Sequence, residues 1–477
     1  MRAHDDRGAS EPISQRRPIV SDQRTHSAPA RDRRAPGPRG VPLLGSAVDL
    51  QRRGQVAFFV ENWRAYGDVV RFRLGPFVAH ILAHPDHIHH VLVRNAPNYP
   101  KGPSYAKLRP ALGSGLATSE GALWLRQRRL MQPPFTHSSV LRLADQMTQA
   151  VEVGHSHWPL AATSGRALAI NQEMAQLSLN ILLRTIFTTD LGDKARAILE
   201  ATMEVGSFLN RRLASIVDIP LAVPIPANRR FNKALRSFDS SIYELIQARR
   251  VRSDSGTDLL GALLAARDGE SGIQMSDRQI RDEVFTILLA GHETVALGLT
   301  WAWYLLAQHP QIEDTLQAEL TTRLAGRTPA VEDLPALQYT RMVLEEAMRL
   351  YPPIWTVPRA ALKDDEIAGY HIPAGSLMFP SQYLAHRHPD FWDSPTAFDP
   401  QRFAPDRAGG ARRTYFPFGE GPRSCMGTHF AMVEMCLVLA TIAQRYRLRL
   451  LPGPTIEPTS MVSLHPSRDV LAIVESR

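Results

Sequence analysis

A mainly α fold with small β-sheets is what the sequence predicts, and three features predict it. From about Leu123 the apolar residues recur with a helical period through roughly 230 residues. Strand-like runs are confined to two regions, one before that stretch and one after it. Between them lies one nearly all-apolar segment, Val284–Ala307, long enough to cross a whole domain.

In chain order, the folded body is expected to begin at Pro36-Gly37-Pro38, a stiff entry that cannot be helical. Residues 68–75 and 77–83 alternate or run apolar around Gly75-Pro76 and read as a hairpin. Breaks in the helical stretch fall at Pro133-Pro134, 220–226, 252–257 and 268–272, all rich in turn formers. Ser276 with Gln279 three residues on is a capping-box signature, so the central helix should start there and stop at His309-Pro310. After Tyr351-Pro352-Pro353 come loops and short strands, 356–360 and 376–380, then a final helix from about Cys425 to Tyr446. No repeat or flexible linker divides residues 36–477, which are expected to form one domain behind a disordered basic tail of residues 1–35.

Composition narrows the function classes. Among 477 residues there are two cysteines, which excludes a disulfide scaffold and fits a reducing, cytoplasmic setting. The net charge of +8 invites a nucleic-acid reading, yet residues 1–39 hold nine arginines against five acids, half of that excess, and this tail has no aromatic residue. Its acids also argue against a transit peptide. No N-terminal apolar run of about 20 residues is present, and His292-Glu293 interrupt the central one, so no membrane anchor is expected.

Chemistry concentrates in four places. In Phe418-Gly419-Glu420-Gly421-Pro422-Arg423-Ser424-Cys425-Met426-Gly427, glycines allow backbone to approach a flat ligand, and Arg423 precedes a cysteine placed to open a helix. A helix N-terminus and nearby cations favour a metal-binding thiolate. Cys436, among Met435, Leu437 and Leu439, reads as core packing. Mid-way along the central helix, Ala290-Gly291-His292-Glu293-Thr294 places a glycine and a carboxylate where both are costly, unless they face solvent or serve a purpose. Glu346 and Arg349 share a helix face, and Arg402 follows as a possible third member. Trp124 and Arg128, one turn apart, bring an indole N–H and a guanidinium together as donors for a carboxylate.

In these residues the sequence resembles the cytochrome P450 haem-thiolate monooxygenases over roughly residues 36–477. The cysteine loop matches the family's haem-binding signature at Phe418, Gly421, Arg423, Cys425 and Gly427. Ala290, Gly291, Glu293 and Thr294 match its oxygen-activation motif, with Glu where many members have Asp, and Glu346, Arg349 and Arg402 match its structural triad. The resemblance implies the cytochrome P450 fold, with a long central helix over haem b, iron protoporphyrin IX, and with Cys425 as its axial thiolate. It implies that Glu293 and Thr294 deliver protons on the distal side, where Ala290 and Gly291 leave room for O2. Trp124, Arg128, Arg359 and Arg423 would bind the haem propionates, and Phe418 would pack beside the thiolate.

Competing readings fare worse. His292-Glu293 begins an H-E-x-x-H pattern, but Ala296 stands at its fifth position and removes the zinc reading. A peroxide-driven enzyme or a non-catalytic haem-thiolate sensor remains the alternative; retention of both Glu293 and Thr294 argues instead for reductive O2 activation. The expected reaction is insertion of one oxygen atom from O2 into a small hydrophobic substrate, terpene-, fatty-acid- or polyketide-like, by a monomer. Electrons would come from a separate ferredoxin or flavodoxin with its NAD(P)H reductase, docking on arginines 126, 129, 412 and 413. Candidate pocket residues are 101–121, Phe208, Leu209, Phe285, Leu289, Ala290 and 354–357.

Overall fold

The computed structural model describes residues 33–187, 193–214, 219–252, 258–269, 272–407, 414–460 and 462–477. Most of the expected basic tail, residues 1–32, lies outside them, as do parts of the breaks at 252–257 and 268–272 and the pair Arg412-Arg413. Packing onto the body already begins at Arg33, whose guanidinium lies 5.0 Å from the Tyr370 ring, and Ala35 is buried.

The central helix runs Asp277–Gln308. Its start is the predicted capping box: Ser276 Oγ accepts from the Gln279 N–H at 3.2 Å, and Gln279 Oε1 accepts from the Ser276 N–H at 3.4 Å. Its 32 residues span about 48 Å. Residues 280–288 and 295–306 are buried in the main hydrophobic core, so its apolar length reflects its place at the centre of the fold. It is also the one described helix long and apolar enough to cross a membrane, and 72% of that apolar window is buried inside the protein.

Around it pack the helices Ile170–Ile186, Asp193–Ala214, Pro226–Arg252, Gln338–Leu350 and Thr428–Ala443. The last is shorter than the expected 425–446. The Cys425 N–H turns back to donate to the Phe418 carbonyl at 2.8 Å, so the cysteine belongs to the loop, and Gly427 caps the helix. At the other end Tyr446 already pairs as a strand.

The predicted hairpin forms as Val69–Leu74 against Phe77–Leu82, antiparallel, with Gly75 at a φ of 55° in the turn. Leu377–Pro380 adds to it in parallel and Arg359–Ala360 closes the sheet. An isolated bridge joins Arg359 to Lys101, which brings two cations to the edge of the central cavity. Near the C-terminus a short hairpin, Pro458–Ser460 with Leu464–Pro466, leans on the central helix. Trp301 Nε1 donates to the Leu464 carbonyl at 2.9 Å, and the Leu464 N–H donates to the Pro353 carbonyl at 2.8 Å.

Candidate active site

The middle of the central helix behaves unlike its ends. Leu289, Ala290, Gly291, Glu293 and Thr294 keep accessible surface although buried turns precede and follow them. A helix through the core can keep such surface only where it borders a void. Cys425 is likewise accessible while belonging to a loop wedged between helices. Ala290, Glu293, Thr294 and Cys425 thus form the accessible chemistry of an otherwise packed interior.

The cysteine loop is held from three directions. Gly421, at a φ of 72°, lies so close to the Leu92 carbonyl that a Cβ there would come within 2.2 Å of its oxygen, so only glycine fits. Gly427 has an ordinary φ of −83°; its requirement is the helix cap rather than the turn. Arg128 Nη1 donates to the Ser424 carbonyl at 2.9 Å, and Thr428 Oγ1 donates to the Cys425 carbonyl at 3.1 Å. Phe418 packs on the main core. Desolvation by the surrounding protein pushes the Cys425 thiol up, against the Gly427 N–H, Arg128 and Thr428, which favour the thiolate. Without the charge of a bound metal, then, the expected thiolate is not the favoured form. Cys436 is buried in the helix, and burial pushes its thiol to about 12, as its packing role predicts.

The triad is fully assembled. Arg349, without solvent exposure, donates from Nε to Glu346 Oε2 at 2.6 Å and from Nη2 to Oε1 at 2.8 Å. Arg402 Nε reaches the same Oε1 at 3.3 Å. Arg349 further bonds the carbonyls of His386, Pro395 and Ala397. His386 Nε2 then accepts from the Phe416 N–H at 3.0 Å, so the triad anchors the chain that runs into the cysteine loop.

On the opposite edge, cations gather. Arg423 lies 3.7 Å above the Trp124 ring, pairs with Glu120 and donates to the Ser119 carbonyl at 3.2 Å. Lys101 Nζ donates to the carbonyls of Leu116 at 3.0 Å and Ser119 at 2.9 Å, and burial lowers its pKa to about 7. Desolvation also lowers Arg423, with Arg359 repelling it and Glu120 opposing. Three partly buried cations, Lys101, Arg359 and Arg423, thus share the single carboxylate Glu120. This surplus of positive charge suits a ligand carrying two carboxylates, and it passes the test of fit for a haem with its propionates. Trp124 serves there as a platform for Arg423 as much as a donor. Lys101 and Glu120 were not singled out by spacing, because their partners are brought in by a sheet edge and a distant loop.

Glu293 sits on the distal rim. Burial acts to raise its pKa, but hydrogen bonds and charge from His465, with help from His292 and Asn210, bring it below the ordinary carboxylate value. Thr294 Oγ1 donates to the Ala290 carbonyl at 2.7 Å. Gly291 departs from its expected purpose: a Cβ there would come within 2.9 Å of Leu182 Cδ1, so the glycine makes room for the neighbouring helix. Among the pocket candidates, Phe285 stacks on Phe238 at 4.2 Å and Phe208 on Phe231 at 4.4 Å. Both, with Leu209, are packed into the core, whereas Leu289, Ala290, Ile354 and Val357 keep accessible surface.

The Cytochrome P450 family model matches residues 35–473. Cyclooctatin synthase of Streptomyces melanosporofaciens is 38% identical over 432 residues, 90% of this chain and 92% of that one. Cyclooctat-9-en-7-ol 5-monooxygenase of the same organism is 36% identical, covering 88% and 90% of the two chains. Pentalenene oxygenase of Streptomyces avermitilis is 34% identical, covering 90% and 95%. Among solved structures, the haem domain of cytochrome P450DA superposes with a TM-score of 0.85 at 25% identity, over 93% of this chain and 97% of that one.

Proposed function

Because this chain belongs to the cytochrome P450 family, and is a haem-thiolate monooxygenase that uses O2 on hydrophobic molecules, we propose that its substrate is a cyclic terpene. The carrying observation is the accessible stretch of the central helix. Its borders are apolar, Leu289 and Ala290 facing inward and Ile354 and Val357 following Pro353, with polar chemistry confined to Glu293 and Thr294. A ligand bound there is held by shape and area, at about 25 cal/mol per Å² of apolar surface, and the relatives carry terpene names.

In this reading haem supplies O2 binding and O–O cleavage. Cys425 is its axial ligand. Arg128, Arg359, Arg423 and Trp124, joined by Lys101, take up the propionates, with Glu120 exchanging Arg423 to them. Phe418 shields the thiolate, Ala290 leaves space on the distal side, and Gly291 sets the helix against Leu182. Glu293 holds and releases a proton, which Thr294 Oγ1 can pass inward because it is itself both donor and acceptor.

Electrons come from a cytoplasmic ferredoxin or flavodoxin docking on the Cys425 side. There a cavity of roughly 510 Å³ is lined by Arg128, Phe135, His137 and His429, with Arg126 nearby on the same helix as Arg128. The tail preceding the domain plays no part in turnover. A screen of cyclic terpenes, fatty acids and macrolides for a haem spin-state shift tests the substrate, followed by product analysis with NADPH and the donor proteins. A shift confined to fatty acids, or turnover with peroxide alone, would overturn the proposal.

A further inference from the structure

Glu293 is gripped by residues from two elements remote from its own helix. His465, on the C-terminal hairpin, places Nε2 3.1 Å from Glu293 Oε1. Asn210, on the helix Asp193–Ala214, donates from Nδ2 to that same oxygen at 3.0 Å. Both contacts converge on Oε1, and Oε2 has no hydrogen-bond partner among the described residues. Ser463 Oγ lies 3.1 Å from the same His465 nitrogen, which places three polar groups around one ring atom. The ring cannot drift far, because Leu464 beside it is tied to both Trp301 and Pro353.

We propose that His465, with Asn210, is a positioning residue for Glu293: together they pin Oε1 and leave Oε2 as the proton-carrying oxygen turned to Thr294. Facing a carboxylate at this distance, Nε2 carries a hydrogen, so the contact is an ion pair when the ring is protonated and a neutral hydrogen bond when it is not. The other groups facing Glu293 do not share the task. His292 is buried and its Nδ1 is engaged with the Leu288 carbonyl at 2.6 Å, while Asn210 and Ser463 do not titrate. The grip on Oε1 therefore weakens as pH rises through the titration of His465. Side-chain exposures of 26% for His465 and 24% for Glu293 leave the pair in reach of solvent, from which a proton taken by Oε2 can be replaced.

The proposal rests on Glu293 acting as the proton donor, and the experiment separates the two ideas. The holoenzyme is given cumene hydroperoxide. Proton-assisted heterolysis of the O–O bond returns cumyl alcohol, the added proton ending on the alcohol oxygen, whereas homolysis ends in acetophenone. Expected is a fall of about fivefold in the alcohol-to-ketone ratio for His465→Phe. His465→Gln keeps a donor and should restore most of the ratio, but its alkaline decline should flatten. Independently of turnover, ring NMR of His465 in the carbon monoxide-bound ferrous protein should show its titration midpoint falling by roughly one unit in Glu293→Gln. Equal ratios for the Phe and Gln variants, an unchanged pH profile in the Gln variant, or an unmoved midpoint would each overturn the proposal. If Glu293→Gln keeps the wild-type ratio, the donor role falls with it; if Glu293→Gln loses the ratio and His465→Phe does not, only the positioning role falls.

Discussion

Replacing Arg349 with lysine tests whether the buried triad works as a fixed fork or merely as a charge. Arg349 donates five hydrogen bonds, two to Glu346 and three to the carbonyls of His386, Pro395 and Ala397, from a side chain with no solvent exposure. Lysine offers three donors on one nitrogen, keeps the charge and can still meet Glu346, but it cannot span both the carboxylate and all three carbonyls. At least two buried acceptors are left unpaired, at about 1–3 kcal/mol each, or about 2–6 kcal/mol together. Against a folding free energy of about 5–15 kcal/mol, that is a large fraction. Urea unfolding followed by Soret absorbance and by far-ultraviolet circular dichroism should show a lower midpoint at an unchanged slope. The Soret change should come at or before the loss of helix, since His386 links this site to Phe416 ahead of the cysteine loop. A loss below about 1 kcal/mol would refute the argument, for it would mean that charge alone holds the site.

Glu434, buried in the last helix and accepting from Ser178 Oγ at 2.7 Å, has its pKa raised by burial to about 8. The folded state thus keeps a proton that the unfolded chain releases, and stability should fall as pH climbs from about 4.5 to 8. Glu434→Gln should remove that fall, gaining more over wild type at pH 9 than at pH 5 in thermal unfolding; equal differences at both would count against it. Arg126→Glu should slow ferredoxin-driven reduction about tenfold at low salt, fading as salt is raised, with the carbon monoxide spectrum intact. A reduction rate indifferent to the charge would remove Arg126 from the docking face. Cys425→Ser should abolish the thiolate-type carbon monoxide band while Cys436→Ser leaves it in place, and the reverse result would exchange their roles.

What spacing could reveal, it revealed. The ends of the central helix were legible because a capping box and a His-Pro stop are local signals, and the hairpin because Gly75-Pro76 punctuates two β-rich runs. Glu346 and Arg349 were legible at i,i+3, and the cysteine loop through its glycines. Where spacing failed, the partner came from far along the chain or the space being filled belonged to another element. Gly291 reads as room for a ligand until Leu182 is seen against it, and Phe285 reads as pocket lining until Phe238 covers it. The C-terminal helix was overextended because a helical apolar run cannot report that Cys425 donates backward to Phe418.

The same limit explains why the most consequential contacts of Glu293 carried no signal in the sequence. A mid-helix acid in an apolar segment has two readings, an outward-facing charge or a held one, and composition cannot choose between them. Two donors from the hairpin and from the helix Asp193–Ala214 decide it: the charge is held, at one oxygen, by groups that local patterning gives no reason to connect. A carboxylate fixed at Oε1 and unpartnered at Oε2 is asymmetric, which a freely solvated surface acid is not. That asymmetry lets one residue stay anchored while it exchanges a proton, and it makes the substrate-facing hairpin part of the proton-handling apparatus as well as of the pocket wall.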